Sequence, residues 1–285
     1  MPLPLIIVPV FNALDHLETC LESITRIVPA DTRVLLIDDA STDLRVRPVL
    51  QSWVNEAKPH RQLLVHEKNM GFVATANHGI RLATTDVVLL NSDTQVTSGW
   101  LQHLADCLGS DPSIATATPW SNNGEIVSIP TFCAANPVPE SPDAIASVIA
   151  SCGKPNYPEM PTAVGFCMAI SLRAIKRVGL FDEETFGRGY GEENDFCQRV
   201  EQAGLRNVLC DNAYVVHHGG ASFGPLGLKP DESSMQRLLA KHPDYQDKVM
   251  EFIHADPLAP RRQEILDCLQ RKTPSFRYKA PSFRP

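Results

Sequence analysis

Short apolar runs alternate with segments of helical spacing along the first third of the chain. Residues 5 to 10 (Leu-Ile-Ile-Val-Pro-Val) form a continuous apolar run that predicts a buried strand, and Leu14, Leu17, Leu21 and Ile24 recur on one helix face, predicting a helix over 14–27. Val34 to Ile37 gives a second strand ending in Asp38-Asp39, followed by a helix from Asp43 to about Glu56. Leu63 to Val65 is a third strand, Phe72 to Ala83 a helix, and Asp86 to Leu90 a fourth strand running into Asn91-Ser92-Asp93. Such alternation predicts parallel strands in a wound α/β sheet. In open sheets of that kind ligands bind beyond the carboxyl ends of the strands. There the chain places Pro9-Val10-Phe11-Asn12, Asp38-Asp39 and Asn91-Ser92-Asp93.

The pattern breaks between Pro119 and Pro161, where eight prolines and several asparagines leave room for one short helix, Pro142 to Ala150. A loop of that length reads as a functional excursion over the cleft. Regular structure resumes with Ala163 to Ile170 and a helix from Leu172 to Val178. The stretch Gly187-Arg188-Gly189-Tyr190-Gly191 leads into Glu192-Glu193-Asn194-Asp195, where Phe196, Val200 and Ala203 mark a helix ending at Gly204. Its positive end faces the acids. Asp93, this acidic group and the pair His217-His218 supply oxygen and imidazole ligands suited to one hard or borderline cation.

With 285 residues the chain has room for one large domain plus a tail, and 43% hydrophobic with 21% charged residues is ordinary for a soluble protein. No apolar run approaches the roughly 18 residues of a membrane span. Leu3 to Phe11 is interrupted by Pro4 and Pro9 and reads as a core strand and not a signal peptide. The eight cysteines lack Cys-x-x-Cys spacing, which predicts reduced thiols, no disulfides and a cytoplasmic location. The net charge of −7 is uneven: from Arg261 to Pro285 seven basic residues face two acidic ones, a balance of +5, leaving −12 on the body. Nucleic acid is therefore not an expected partner. The tail carries Pro274-Ser275-Phe276-Arg277 and Pro281-Ser282-Phe283-Arg284, whose aromatics and cations suit an anionic membrane surface, against the plainer reading of a solvated end.

Seven segments in order, VPVFN (8–12), IDDAST (37–42), NMGFVATANHGI (69–80), LLNSDT (89–94), GLFDEETF (179–186), GEENDFCQRV (191–200) and HHGGASFG (217–224), resemble the family 2 glycosyltransferases, nearest to their rhamnosyltransferase-like branch. The resemblance implies a glycosyltransferase A-type fold, a mostly parallel sheet with an antiparallel addition. It also implies inverting sugar transfer from a nucleotide-diphosphate donor, dTDP-rhamnose by branch, to a glycan or lipid-linked acceptor, with Mn²⁺ or Mg²⁺.

Carried over by position, Pro9, Phe11, Asp38 and Asp39 become donor contacts, with Asn69, Gly71, Asn77, Asn91 and Ser92 on the same side. Asp93 becomes a metal ligand, with Asn91 standing where the family's Asp-x-Asp signature has its first aspartate. His217 falls at a metal-binding imidazole, His218 being the less favoured of the two, and Glu193 falls at the general base. Gly165, Phe166, Trp120, Glu192 and Asp195 are assigned to the acceptor side. The implied organisation is a catalytic domain over 1–228 and a C-terminal helical extension with basic tail over 229–285, cytoplasmic and able to touch the membrane's inner face.

Each feature alone has a plainer reading: capping for Asp38-Asp39, helix-end complementation for Glu192, Glu193 and Asp195, a structural role for the histidines. A phosphoacceptor receiver domain would not explain the distal acids and histidines, and a dinucleotide-binding enzyme would want Gly-x-Gly-x-x-Gly where this chain has Pro-Val-Phe-Asn. The rival that survives is a catalytically silent nucleotide-sugar-binding module.

Overall fold

The computed structural model describes residues 2–219 and 232–272. Its first half is the expected alternation: β1 (Leu5–Val10), α1 (Leu14–Ile27), β2 (Val34–Asp38), α2 (Val46–Asn55), β3 (Arg61–Val65), α3 (Phe72–Arg81) and β4 (Val87–Leu90). After β4 come β5 (Thr94–Val96), α4 (Trp100–Ser110), β6 (Ile114–Trp120), α5 (Pro142–Ser151) and β7 (Cys167–Ile170). The chain continues through α6 (Leu172–Val178), α7 (Glu183–Phe186), α8 (Glu192–Gln202) and β8 (Arg206–His217) to α9 (Glu232–Lys241), α10 (Tyr245–Ala255) and α11 (Ala259–Lys272).

The strands form one sheet in the order β3-β2-β1-β4-β7-β6-β8-β5. β3, β2, β1 and β4 run parallel, β7 is antiparallel between β4 and β6, and β5 is antiparallel to β8. Because side chains alternate across a strand, Ile6, Val8 and Val10 enter one core with α1, α2, α4, α5 and α11. Leu5 and Ile7 enter a second core with α3, α6 and α8 on the opposite face. Chain order reverses direction at β1, which has β2 on one side and β4 on the other. A crevice opens at their carboxyl ends for that reason.

Three expectations are corrected. The excursion is only partly a loop over the cleft: Ile145, Ala146, Val148 and Ile149 of α5 are buried in the first core, and α5 is tied to α11. That tie is a disulfide between Cys152 and Cys268, with Cα atoms 6.3 Å apart, so the prediction of reduced thiols throughout fails. The partners lie far apart in sequence and meet only through helix packing, which spacing rules do not register. Finally, Arg261 and Arg262 are not solvated tail: they are buried in α11, Arg261 Nε 2.8 Å from Asp211 Oδ2 and Arg262 paired with Asp256. The Pro-Ser-Phe-Arg repeats lie outside the described residues. Among the described residues no helix is long and apolar enough to cross a membrane.

Candidate active site

Strand β4 is fully buried, and the chain leaving it turns sharply: Asn91 N–H donates to the Phe166 carbonyl (2.9 Å), and the Thr94 hydroxyl donates to the Asn91 carbonyl (2.7 Å). This sets Asp93, 4% exposed, at the crevice. Strand β8 supplies its counterpart, because the β5–β8 register pairs Thr94 with His217. His217 Nε2 lies 3.5 Å from Asp93 Oδ1. Its Nδ1 lies 2.7 Å from the Asn123 carbonyl, an oxygen that can only accept, so Nδ1 carries a hydrogen and Nε2 faces Asp93, as an N–H when the ring is protonated and as a lone pair when it is neutral. Burial alone would lower the His217 pKa, but the Asp93 carboxylate, the Asn123 carbonyl and the field of Glu125 outweigh it and hold it above its ordinary value.

A carboxylate oxygen and an imidazole nitrogen facing each other across this gap, with the imidazole oriented by a carbonyl behind it, fit a cation of the Mn²⁺ type that would displace the Nε2 proton. Among the described residues no group of three or more His, Cys, Asp or Glu is assembled for an ion, so the protein offers a pair of ligands there. The His218 N–H donates to the Asp93 carbonyl (2.9 Å) while its ring packs against His16, centroids 5.1 Å apart.

The opposite wall is the start of α8. Phe166, 2% exposed, stacks on the His217 ring (centroids 5.2 Å, planes 18° apart). A Cβ at the preceding Gly165 would stand 3.8 Å from Glu193 Oε1. Asp93, His217 and Glu193 therefore belong to one contiguous locus bridged by Gly165-Phe166. Burial pushes both Glu193 and Glu192 above the usual carboxylate range, Glu192 further because the Glu193 charge adds to it. The two carboxyls interact and titrate as a pair, Glu192 pushed up the further of the two. Each keeps a second oxygen buried without a hydrogen-bond partner.

On the donor side the predicted residues divide into contacts and clips. Asp39 is saturated from within: its carboxylate accepts from Met70 N–H (2.7 Å), Gly71 N–H (2.8 Å) and His66 Nδ1 (2.8 Å). His66 Nε2 is in turn 2.9 Å from His78 Nδ1, so a half-buried chain of groups holds the 66–71 loop. Asn69 belongs to the same clasp, donating to the Asp39 carbonyl (3.2 Å). Asp38, fully buried, accepts from Ser41 N–H (2.8 Å) and shapes the turn after β2. Gly71 is required by its φ of +87° and by close approach, since a Cβ there would lie 2.8 Å from the Arg188 Cα. Pro9, Phe11 and Asn91 keep partial exposure at the crevice, and Ser92 is buried beside Asp93.

Three assignments are overturned. Asn77, 1% exposed, spends its amide on Phe181, donating to its carbonyl and accepting from its N–H, both at 3.0 Å. It clips α3 to the segment before α7 and presents nothing to a donor. Trp120 is wholly buried, with its indole N–H on the Asp211 carbonyl (3.2 Å), so no acceptor reaches it. Asp195 is fully buried in an ion cluster with Arg199 (2.8 Å), Lys241 (2.7 Å) and His242 (2.9 Å), tying α8 to α9. Desolvation opposes its charge, and hydrogen bonds from Lys241, His242 and Arg199 still hold its pKa below the ordinary value.

Sequence reasoning missed Asn122. Its side chain accepts from His217 N–H (2.9 Å) and donates to the His217 carbonyl (3.1 Å), fixing the backbone of the imidazole that faces Asp93. The asparagine-rich composition of the excursion was the available signal.

A mostly parallel sheet with an antiparallel insertion, and a carboxylate–imidazole pair at the end of its fourth strand, define a glycosyltransferase A-type nucleotide-sugar transferase fold. Residues 5–178 match the glycosyl transferase family 2, and the chain belongs to that family. It is 24% identical over 239 residues to N-acetylglucosaminyl-diphospho-decaprenol L-rhamnosyltransferase of Mycobacterium tuberculosis, covering 73% of this chain and 74% of the relative. Over 92 residues it is 34% identical to an uncharacterised glycosyltransferase, YibD, of Escherichia coli, 32% of this chain and 26% of that protein. The chain thus matches only about a quarter of that relative's length. The fold is similar to that of GalNAc-T7 solved with UDP, GalNAc and Mn²⁺, with a TM-score of 0.64 at 16% identity over 95% of this chain and 55% of that one.

Proposed function

We propose that the protein is a metal-dependent inverting glycosyltransferase that moves a sugar from a nucleotide-diphosphate donor, dTDP-rhamnose first among candidates, to a hydroxyl of a glycan or lipid-linked acceptor. The observation that carries this reading is the facing of Asp93 and His217 at the end of β4, with Glu193 across the same crevice. The donor and acceptor classes draw support from the mycobacterial relative, whose name specifies rhamnosyl transfer to a diphospho-decaprenol-linked sugar.

Asp93 and His217 would hold the ion through Oδ1 and Nε2, with Asn122 and the Asn123 carbonyl fixing the imidazole. A bound Mn²⁺ or Mg²⁺ supplies Lewis-acid neutralisation of charge on the departing diphosphate. Glu193 takes the proton of the acceptor hydroxyl as that oxygen attacks the anomeric carbon, and the C–O bond to the diphosphate breaks on the opposite face. One such displacement inverts the anomeric configuration. General-base help of this kind contributes on the order of 10²–10⁴-fold. Glu193 suits the role because its raised pKa makes its carboxylate a stronger base than an exposed glutamate. Asp38, Asp39 and Asn69 serve the donor indirectly, by shaping the loops that line its side.

The test is a thermal-shift screen of nucleotide sugars with and without Mn²⁺, followed by measurement of nucleoside diphosphate release. Release that requires both Mn²⁺ and an acceptor supports transfer. Saturable donor binding with no turnover across a panel of alkyl glycosides would identify a nucleotide-sugar-binding module instead.

A further inference from the structure

The loop from Ser121 to Ser128 is braced internally: Ser121 N–H donates to the Val127 carbonyl (3.1 Å), Val127 N–H to Gly124 (2.9 Å), Ser128 N–H to Glu125 (3.0 Å), and Gly124 N–H to the Ser128 hydroxyl (3.0 Å). Its backbone lies against the active-site wall, since a Cβ at Gly124 would stand 3.1 Å from Phe166 Cε1. Phe166 is the ring that stacks on His217 and follows the glycine beside Glu193. The residue after Gly124 is Glu125, exposed to solvent and held at φ +50°, a backbone conformation that side chains with a Cβ adopt with difficulty.

The Glu125 carboxylate makes no hydrogen bond or ion pair among the described residues. The loop that carries it touches the site at two points: the Asn123 carbonyl, two residues before Glu125, lies 2.7 Å from His217 Nδ1, and Gly124 packs on Phe166. The Glu125 charge accordingly helps to raise the pKa of both His217 and Glu193. Across Phe166 and Gly165, Glu192 is 4% exposed with Oε2 buried and unpartnered, and Glu193 Oε2 is likewise unpartnered. A braced loop against Phe166, a backbone strained at one residue, and an exposed acid at that residue leave this side of the site with hydrogen-bond capacity to spare.

We infer that Glu125 binds the acceptor, its carboxylate accepting hydrogen bonds from hydroxyls that flank the attacking one on an uncharged sugar ring. This deepens the transferase reading and rests on it. Two neighbouring carboxylates, Glu125 and Glu193, repel an anionic ring, so the acceptor sugar is neutral and uronic acids are rejected. A carboxylate also rewards a hydroxyl more than a neutral acceptor group does, so loss of the flanking hydroxyl is costly.

The experiment uses the full chain, Mn²⁺, the donor that best raises its stability, and a panel of octyl glycosides that includes a glucuronide. Glu125→Ala is expected to raise the KM of the best neutral glycoside roughly tenfold or more, with donor KM within about twofold and the discrimination against the glucuronide relaxed. Glu125→Gly removes the carboxylate and relieves the left-handed backbone, so it should match Glu125→Ala in acceptor KM while melting no lower than wild type. Unchanged acceptor KM in both variants overturns the inference, and so does a donor KM that rises in step with that of the acceptor. Failure of the wild type to glycosylate any member of the panel while it binds donor with Mn²⁺ overturns the transferase reading and this inference with it.

Discussion

His217 Nε2 faces Asp93 Oδ1 at 3.5 Å, and Asn122 grips the His217 backbone on both its N–H and its carbonyl. Asn122→Ala removes no ligand, yet it frees the imidazole. Loss of such outer support typically weakens metal affinity by about 10–100-fold. A Mn²⁺ titration of the donor-induced thermal shift should show that loss in Asn122→Ala and a larger one in His217→Ala. Equal Mn²⁺ dependence in all three proteins would remove His217 from the cation site.

The coupled glutamates have separable roles. Glu193→Gln should reduce transfer by about 10²–10⁴-fold, whereas Glu192→Gln keeps a neutral hydrogen-bond donor next to Glu193 and should retain most of it. Glu193 must be ionised to accept a proton, and burial and the Glu125 field raise its pKa. The acid limb of the kcat/KM profile should therefore lie above the ordinary glutamate value of about 4.3. A limb at or below that value would assign the base elsewhere.

Glu192 also links stability to pH. Burial and the Glu193 charge raise its folded-state pKa well above the unfolded one, so its contribution to stability is full at low pH and is lost as pH rises through the folded value. Glu192→Gln abolishes that loss. Melting curves should show the variant gaining on wild type by a few degrees as pH rises from acid to mildly alkaline, at about 2–4 °C per kcal/mol for a domain of this size. A constant offset across pH would contradict a protonated, buried Glu192.

Asn77 offers a contrast between clip and contact. Its replacement by alanine leaves the Phe181 N–H and carbonyl buried and unpaired, a cost of about 2–4 kcal/mol. Melting temperature should fall while donor KM, assayed well below the transition, stays near wild type. A rise in donor KM with an unchanged melting temperature would return Asn77 to the donor site.

The Cys152–Cys268 bond closes a long loop, spanning 116 residues. On a chain-entropy account, a crosslink of that span stabilises by about 4–5 kcal/mol. Dithiothreitol, or Cys152→Ser with Cys268→Ser, should lower the melting temperature clearly, and mass spectrometry should find two additional alkylatable thiols after reduction. No mass change on reduction would show the pair unlinked.

Most of the parallel half was legible from residue order. Strands β1 to β4 and helices α1 and α6 follow from apolar runs and helical spacing, because local pattern decides them. The crossing of β7 between β4 and β6 was not, since pairing partners are chosen by the packing of remote segments. At the site, Asp93, Glu193 and His217 could be read from motif order, and the structure sets them in one locus. Polar residues divided less well: the sequence showed Asn77, Asp195 and Asn122 alike as polar side chains in suggestive company. Only burial and partners reveal that Asn77 grips Phe181, Asp195 pairs with Arg199 and Lys241 and bonds His242, and Asn122 aims an imidazole. Trp120 illustrates the same limit, its ring serving the interior.

Pairing of β5 with β8 means that the spacing of Asp93 and His217 is stored as sheet register and not as loop geometry. A strand alternates sides with every residue. Deleting or inserting a single amino acid between Val208 and Val216 would thus swing His217 to the reverse side of the sheet, however well the protein still folded. Length changes around 137–141, outside every strand and largely exposed, carry no such register penalty, which makes this stretch the natural place for sequence drift, tags or grafted segments.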